Sequence, residues 1–466
     1  MNTGLFFQIY VFITLIFSGT AQYFTGVSAF LWLPFIMTIL MFCLLPLQTR
    51  YNFEPLDQIE ITVLILFLGL FVLALTSSLL QEGIKTTIAG VKNGLGMALL
   101  LPCLLLGFCR ESQIYKVCQK LYWVFYAQIP FVIYQVLVIV PARVAAQGEM
   151  DSWDSVVGTF GGSMVAGGNG ASMGLFTLLI MMMKLSEYKH GVTTLKSVLL
   201  HFAIGFSICI VAEVKFVTLL APIFLLLVYI KPSYVKEVRV IDVKTILLAI
   251  TGIVAILTIV ITILSLGYAS KYQSHSMSIF DIFIENIGYI FDPNTIVDGL
   301  DGNLDELGRL TALVFWSHNS DIYGFVNQLF GYGLNSSNAG GAEPGYIAML
   351  FDLGLGSTAL AIYLWEIGVV GVGLLLTIVY LILKNSNPRP MFSKTQLSEA
   401  DIKLLSYQPA FIGFIIAGLI TLPYAPLLAL ILVFQFQFYF SLGVIMIIRK
   451  ITLAKCEAHY DRINQE

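Results

Sequence analysis

Apolar runs of about twenty residues recur along this 466-residue chain from one end to the other. That is the length at which a helix crosses the roughly 30 Å hydrocarbon core of a bilayer with every backbone group satisfied internally. Only 11% of the residues are charged and 58% are apolar, whereas a soluble domain carries roughly 25% charged residues. A water-soluble globular enzyme is therefore excluded. The pattern predicts an all-α polytopic membrane protein, one integral membrane domain over 1–466. Spans are read near 4–22, 27–47, 61–80, 94–109, 121–142, 171–183, 197–213, 216–230, 245–267, 357–383, 409–422 and 425–448. About twelve transmembrane helices result, and eleven to fourteen fit, because two runs are short and the seventh and eighth are parted only by the residues around Glu213 and Lys215. The first run lacks a basic flank and a small-residue cleavage site, so it reads as a retained span and not a signal peptide.

Net charge is −3 and no basic face of the kind that binds nucleic acid is present. Placing the charges along the map is more informative. With the N-terminus inside, 19 of the 25 Lys and Arg residues fall on one side, which the positive-inside rule makes cytoplasmic. Both termini lie there, the last segment, 449–466, as a tail. The opposite side keeps Lys85, Lys92, Arg143, Lys215, Lys271 and Arg309. It also owns the two long polar segments, a Gly-rich loop at 143–170 and a large loop at 268–356. Loops beyond about 15 residues are usually functional, and the apolar stretches SIFDIFIENIGYIF and LTALVFWS inside the second predict interfacial helices. The six cysteines show no ligand-like spacing, and neither a metal nor another cofactor is expected.

In the 268–356 loop ten acids face two bases, Lys271 and Arg309. Arg309 reads either as a partner of Asp305 or Glu306 on one helix face or as an anion clamp, since guanidinium grips phosphate oxygens in pairs. Lys215 and Glu213 sit at a span boundary, where ionisable groups mark function or a short turn touching water. Arg143 closes the fifth span and can snorkel. Three cations on that side suit a lipid-linked phosphate or pyrophosphate. His318, nine residues after Arg309, is a candidate acid or base; with His275 it also reads as an ordinary loop residue. Glycine occupies seven of seventeen positions in 158–174 and four of eleven in 331–341. Backbone turns tightly or approaches something closely there, and neither segment matches a nucleotide-binding fingerprint.

At these residues the chain resembles the O-antigen ligase and polymerase (Wzy) superfamily of bacterial envelope polysaccharide enzymes. VGTFGG follows the fifth span, Lys215 lies at the outer end of a later one, and the long loop carries Gly308-Arg309, Trp316 and LFGYGLNSS. Then comes STALAIYLWEIGVVG. Gly331-Tyr332-Gly333 looks like the family's GxG signature, and Glu366, Gly368 and Gly371 look like its ExGxxG. The resemblance covers roughly 120–385. It implies a GT-C-like inner-membrane glycosyltransferase whose donor is an undecaprenyl-pyrophosphate-linked oligosaccharide, working among membrane lipids, alone or with a chain-length regulator, without nucleotide sugar or metal. Arg309 then holds the pyrophosphate, with Lys215 where many members have Arg. Ligases usually carry a His nine residues before the ExGxxG glutamate; this chain has Ser357, which favours a polymerase of O-antigen, capsule or exopolysaccharide.

In that mechanism a sugar hydroxyl attacks the anomeric carbon of the growing chain, and Arg309, Lys215 and Arg143 stabilise the departing pyrophosphate. Glu343, just after the GxG loop, is the first candidate base, followed by Glu213 and His318. Tyr332, Gly331, Gly333 and Ser357 are expected to line the substrate, and Glu366, buried in a helix, to support the site by pairing with a base or backbone amide. The rival readings are a lipid-glycan flippase or secondary transporter, and a receptor or scaffold. The absence of a visible internal repeat weighs against transport.

Overall fold

Six helices among the described residues are long and apolar enough to cross a membrane: Thr3–Thr25, Gln58–Gln81, Ser112–Ala146, Gly368–Asn385, Glu399–Thr421 and Leu432–Cys456. The computed structural model describes residues 3–47, 56–109, 111–147, 152–164, 167–239, 291–297, 304–340 and 344–463, with Thr251, Thr258, Thr262 and Gly288 as isolated helical positions. The protein is mostly helical. Glu399–Thr421 and Leu432–Cys456 form its centre, with 83% and 89% of their apolar windows buried, against 28% for Gln58–Gln81 and Ser112–Ala146 at the periphery. Aromatic side chains fill the seam between the two central helices and their neighbours: Phe411 meets Phe440, Phe414 meets Phe434, and Phe440 stacks on Phe7. Gly170–Lys189 packs against Glu399–Thr421, Leu195–Val211 and Lys215–Ile230.

Twelve uninterrupted spans are not displayed, for reasons that can be located. The run at 94–109 breaks into a wide turn over Val91–Leu95 and a six-residue helix, Leu100–Leu105. The run at 357–383 divides into Ala359–Glu366 and Gly368–Asn385, because Gly368 takes φ +65°, a value an L side chain resists. The runs at 27–47, 197–213 and 216–230 form shorter helices, Ser28–Leu44, Leu195–Val211 and Lys215–Ile230. Gly170–Lys189 outruns its apolar core to include Glu187 and Lys189. The ninth run, 245–267, lies outside the described residues apart from Thr251, Thr258 and Thr262.

Among the described residues two small antiparallel ladders interrupt the helices. Gly162–Ser163 pairs with Gly167–Gly168, and Ile296–Val297 with Glu306–Leu307. The first belongs to the Gly-rich segment read as a loop over 143–170. Residues 156–161 are buried, and two glutamines on the Ser112–Ala146 helix satisfy their backbone. Gln135 accepts from the Val157 and Gly158 amides at 3.0 and 2.8 Å and donates to the Gly158 carbonyl at 2.9 Å. One face turn earlier, Gln128 accepts from the Thr159 amide and donates to its hydroxyl, both at 2.8 Å. Irregular backbone among membrane helices is tolerated only with such partners.

The described part of the large loop is helical in three places, Arg309–Asn319, Phe325–Phe330 and Tyr346–Phe351. LTALVFWS lies in the first of these. SIFDIFIENIGYIF lies outside the described residues except for Gly288 and Phe291. At the end of the bundle rich in Lys and Arg, cations are paired: Arg449 with Asp57, Lys450 with Glu60 at 3.6 Å, and Lys455 with Asp401 at 2.8 Å. Asp57 also caps Gln58–Gln81, accepting from the Ile59 and Glu60 amides.

Candidate functional site

Arg309 is the first residue of its helix, and the chain leading into it is fixed by backbone bonds. Leu307 N–H donates to the Gly354 carbonyl at 3.1 Å, Gly354 N–H to Asp305 at 2.7 Å, and Gly308 N–H to Thr295 at 2.7 Å. The Ser357 hydroxyl donates to the Leu307 carbonyl. Ser357 therefore anchors the approach to Arg309, two residues away.

The guanidinium lies over the ring of Tyr424, 4.0 Å from its centroid. Tyr424 stacks in turn on Phe216, with centroids 4.7 Å apart and planes at 24°. Phe216 directly follows Lys215, the first residue of Lys215–Ile230. One tyrosine thus joins a cation from the large loop to the residue beside a cation on a helix nearly a hundred positions earlier. The Tyr424 turn is itself held: the Ala359 and Leu360 amides, at the start of Ala359–Glu366, donate to the Ala425 and Leu422 carbonyls at 3.1 and 2.9 Å. The segment carrying Ser357 therefore grips both the approach to Arg309 and the ring beneath its guanidinium. Arg309 and Lys215 are both half-buried.

Lys215 owes its place to a break in the chain. Glu213 adopts φ +50°, a left-handed geometry uncommon outside glycine, and Lys215 N–H donates to the Glu213 carbonyl at 2.8 Å. Val214 fits against Gly174, where any Cβ would press on its methyl group. That close approach accounts for one glycine of the 158–174 cluster. Glu213 is half-buried, two residues from Lys215.

No family model matches this chain, nor does any curated protein. What the corner can do must come from its own chemistry. A guanidinium seated on an aromatic face keeps its charge and its fork of donors while losing conformational freedom. With Lys215 at the start of the helix that the same ring stack reaches, the corner suits an anion bearing several oxygens, such as phosphate or pyrophosphate.

The GxG and ExGxxG segments meet, and they meet as packing. Residues 331–337 are buried throughout. Tyr332 N–H donates to the Trp365 carbonyl at 2.8 Å and Gly333 N–H to Glu366 at 3.0 Å, while the Tyr332 hydroxyl donates to Ser320 at 2.7 Å. Gly331 has φ +80°, and a Cβ there would overlap the Glu366 carbonyl; one on Gly368 would overlap the Leu329 carbonyl. From the other side Ser77 and Gln81 donate to the Gly331 carbonyl, both at 3.1 Å, and Ser78 accepts from Leu334 N–H at 2.6 Å. Gly331, Tyr332 and Gly333, expected to line the substrate, are thus enclosed by protein. Glu366 is 3% exposed and accepts from the Ser337 hydroxyl at 3.0 Å and from the Asn335 and Ser337 amides. Backbone amides are its partners, as a supporting role requires.

The other expected residues are dispersed. His318 is exposed at the far end of the Arg309 helix and bonds its own Val314 carbonyl at 2.8 Å. At 1.5 Å per residue it stands roughly 14 Å along the axis from Arg309, so it is not a member of the corner. Glu343 lies outside the described residues. Arg143 is carried by Val140–Gln147, which packs on the Ser152–Ser155 turn and not on the Arg309 helix. Among the described residues no cluster of three His, Cys, Asp or Glu side chains is placed to hold a metal. A cavity of about 280 Å³ opens at the opposite end, beside Lys384, Arg389 and Arg449. It is remote in sequence from Lys215 and Arg309, and its Arg449 is already paired with Asp57.

Sequence reasoning missed Tyr424 and Phe216, which carry the Arg309–Lys215 connection, and Glu82. Glu82 follows Gln58–Gln81 and accepts from Tyr346 N–H at 3.3 Å; burial pushes its carboxyl above the usual carboxylate range. A tyrosine between two prolines, 423 and 426, at the junction of two apolar runs was the available signal for Tyr424.

Proposed function

We propose that the protein is a Wzy-type polysaccharide polymerase of the bacterial inner membrane, multi-pass with cytoplasmic termini. In this reading it joins undecaprenyl-pyrophosphate-linked oligosaccharide repeats into O-antigen, capsule or exopolysaccharide at the outer face of the inner membrane. The observation that carries the reading is the joining of Arg309 to the Lys215 helix through Tyr424 and Phe216. The meeting of the GxG and ExGxxG segments adds to it.

An acceptor hydroxyl on the incoming repeat attacks the anomeric carbon of the growing chain. The bond from that carbon to the pyrophosphate oxygen breaks, and its electron pair leaves with undecaprenyl pyrophosphate. Arg309 and Lys215 bind the leaving oxygens, where one such donor is commonly worth ~2.7–4 kcal/mol. The hydroxyl proton passes to a carboxylate, Glu343 in the sequence reading or Glu213 beside Lys215. His318 is set aside as a base, and Ser357 acts by positioning Arg309.

Deleting the gene tests the reading and separates it from its neighbours. A polymerase mutant retains surface glycan of a single repeat. Accumulated lipid-linked polymer with none transferred to lipid A-core indicates a ligase instead, and loss of all outer-face lipid-linked repeats indicates a flippase.

A further inference from the structure

Arg143 is 8% exposed, and its Nε and Nη1 atoms are buried without a hydrogen-bond partner among the described residues. Desolvating a guanidinium without an anion is strongly unfavourable, and an arginine inside a membrane-crossing helix marks a functional site by default. It lies three residues from the end of Ser112–Ala146. That 35-residue helix is about 52 Å long at 1.5 Å per residue, well beyond the roughly 30 Å of hydrocarbon. Its end therefore projects to the depth of lipid headgroups.

The surroundings supply the other half of an amphiphile's site. Val140–Gln147 packs on the Ser152–Ser155 turn, and the Tyr23 hydroxyl donates to the Ser155 carbonyl at 2.9 Å, within reach of the Arg143 charge. Tyr23 packs edge-on against Phe24, with centroids 5.4 Å apart, and Phe24 meets Tyr134 at 5.8 Å. Phe24, on Thr3–Thr25, and Tyr134 and Leu137, on Ser112–Ala146, are all exposed, forming an apolar strip across the two helices beside the buried cation. A buried guanidinium above an exposed aromatic and aliphatic strip suits a ligand with a phosphate at one end and a hydrocarbon chain at the other.

We propose that Arg143 binds the phosphate of a membrane lipid, in a site between the ends of Thr3–Thr25 and Ser112–Ala146 that is separate from the Arg309 corner. It stands whether or not the protein is a polymerase. Guanidinium supplies the paired donors that a phosphate ester takes; a lysine supplies a single point charge.

The test uses the full chain in detergent, following the melting midpoint during titration with dioleoyl phosphatidylglycerol, farnesyl monophosphate, dioleoylglycerol and inorganic phosphate. The two lipid phosphates should raise the wild-type midpoint by several degrees, and dioleoylglycerol should not. Arg143→Met should abolish the shift and Arg143→Lys should reduce it. A shift with phosphatidylglycerol alone assigns the site to a bilayer lipid, and one with farnesyl phosphate alone to a polyprenyl carrier; either supports the site. Equal shifts in wild type and Arg143→Met, or a shift with inorganic phosphate alone, overturn it. The lipid-free midpoint of Arg143→Met is the control for folding. Removing an uncompensated buried charge should leave it no lower than wild type, whereas a marked drop means that an acid such as Glu149, Asp151 or Asp154 already neutralises Arg143 and overturns the site.

Discussion

The loop at 331–337 and the corner at Arg309 belong to one polar segment, yet they are built in opposite ways. In the loop every residue is buried, and its backbone is shared between the end of Gln58–Gln81 and the break at Glu366. At the corner the backbone is equally fixed, but it delivers a half-buried cation, Arg309, onto an aromatic ring. The difference separates two meanings of a motif. The glycines hold the scaffold, while the corner sets charge against an aromatic face.

Changes in the loop should strike folding first and hardest. Gly331→Ala places a side chain at φ +80° and against the Glu366 carbonyl, and should cost more than about 3 kcal/mol, seen as lost membrane protein or a collapsed melting midpoint. In the Gly-rich segment, whose backbone is likewise buried, Gln135→Leu strands the Val157 and Gly158 amides and should cost about 2–4 kcal/mol in the same assay. If either variant folds normally and only activity falls, the scaffold assignment fails.

Corner variants should do the reverse. Tyr424→Leu removes the face beneath Arg309 and should cost about 1–2 kcal/mol of transition-state stabilisation, roughly 5- to 30-fold in rate, with unchanged protein level; Tyr424→Phe should retain most activity. Equal activity in the leucine variant would detach the ring from the site. The smallest effect is expected at Glu82. Burial raises its pKa, so its contribution to stability belongs to the protonated form. That contribution is full below the ordinary carboxylate range and is lost as pH rises through the raised value. The wild-type midpoint should therefore gain on acidification relative to Glu82→Gln, and parallel profiles would show that Glu82 does not titrate between the ordinary carboxylate range and neutrality.

The apolar runs made the helical class legible, because hydrophobic length is a local property. They could not reveal where a run breaks, since the break at Glu366–Gly368 depends on the Gly331 loop seating against it. Arg309 and Lys215 could be picked out as cations where cations are scarce. Their connection was hidden because it passes through Tyr424 and Phe216, ordinary aromatics in apolar surroundings that only the packed chain brings together. His318 looked close to Arg309 along the chain, but a helix carries nine residues roughly 14 Å. Gln128 and Gln135, at i and i+7 in the apolar stretch 121–142, were a readable sign of buried backbone beside them.

The most direct measurement is polymer formation by purified protein supplied with a lipid-pyrophosphate-linked repeat unit, comparing wild type with Arg309→Ala at equal melting midpoint. Loss of polymer by about 100-fold or more, with Arg309→Lys partly restored, is the predicted result. Polymer of wild-type length and rate from Arg309→Ala contradicts the role of the Arg309 corner.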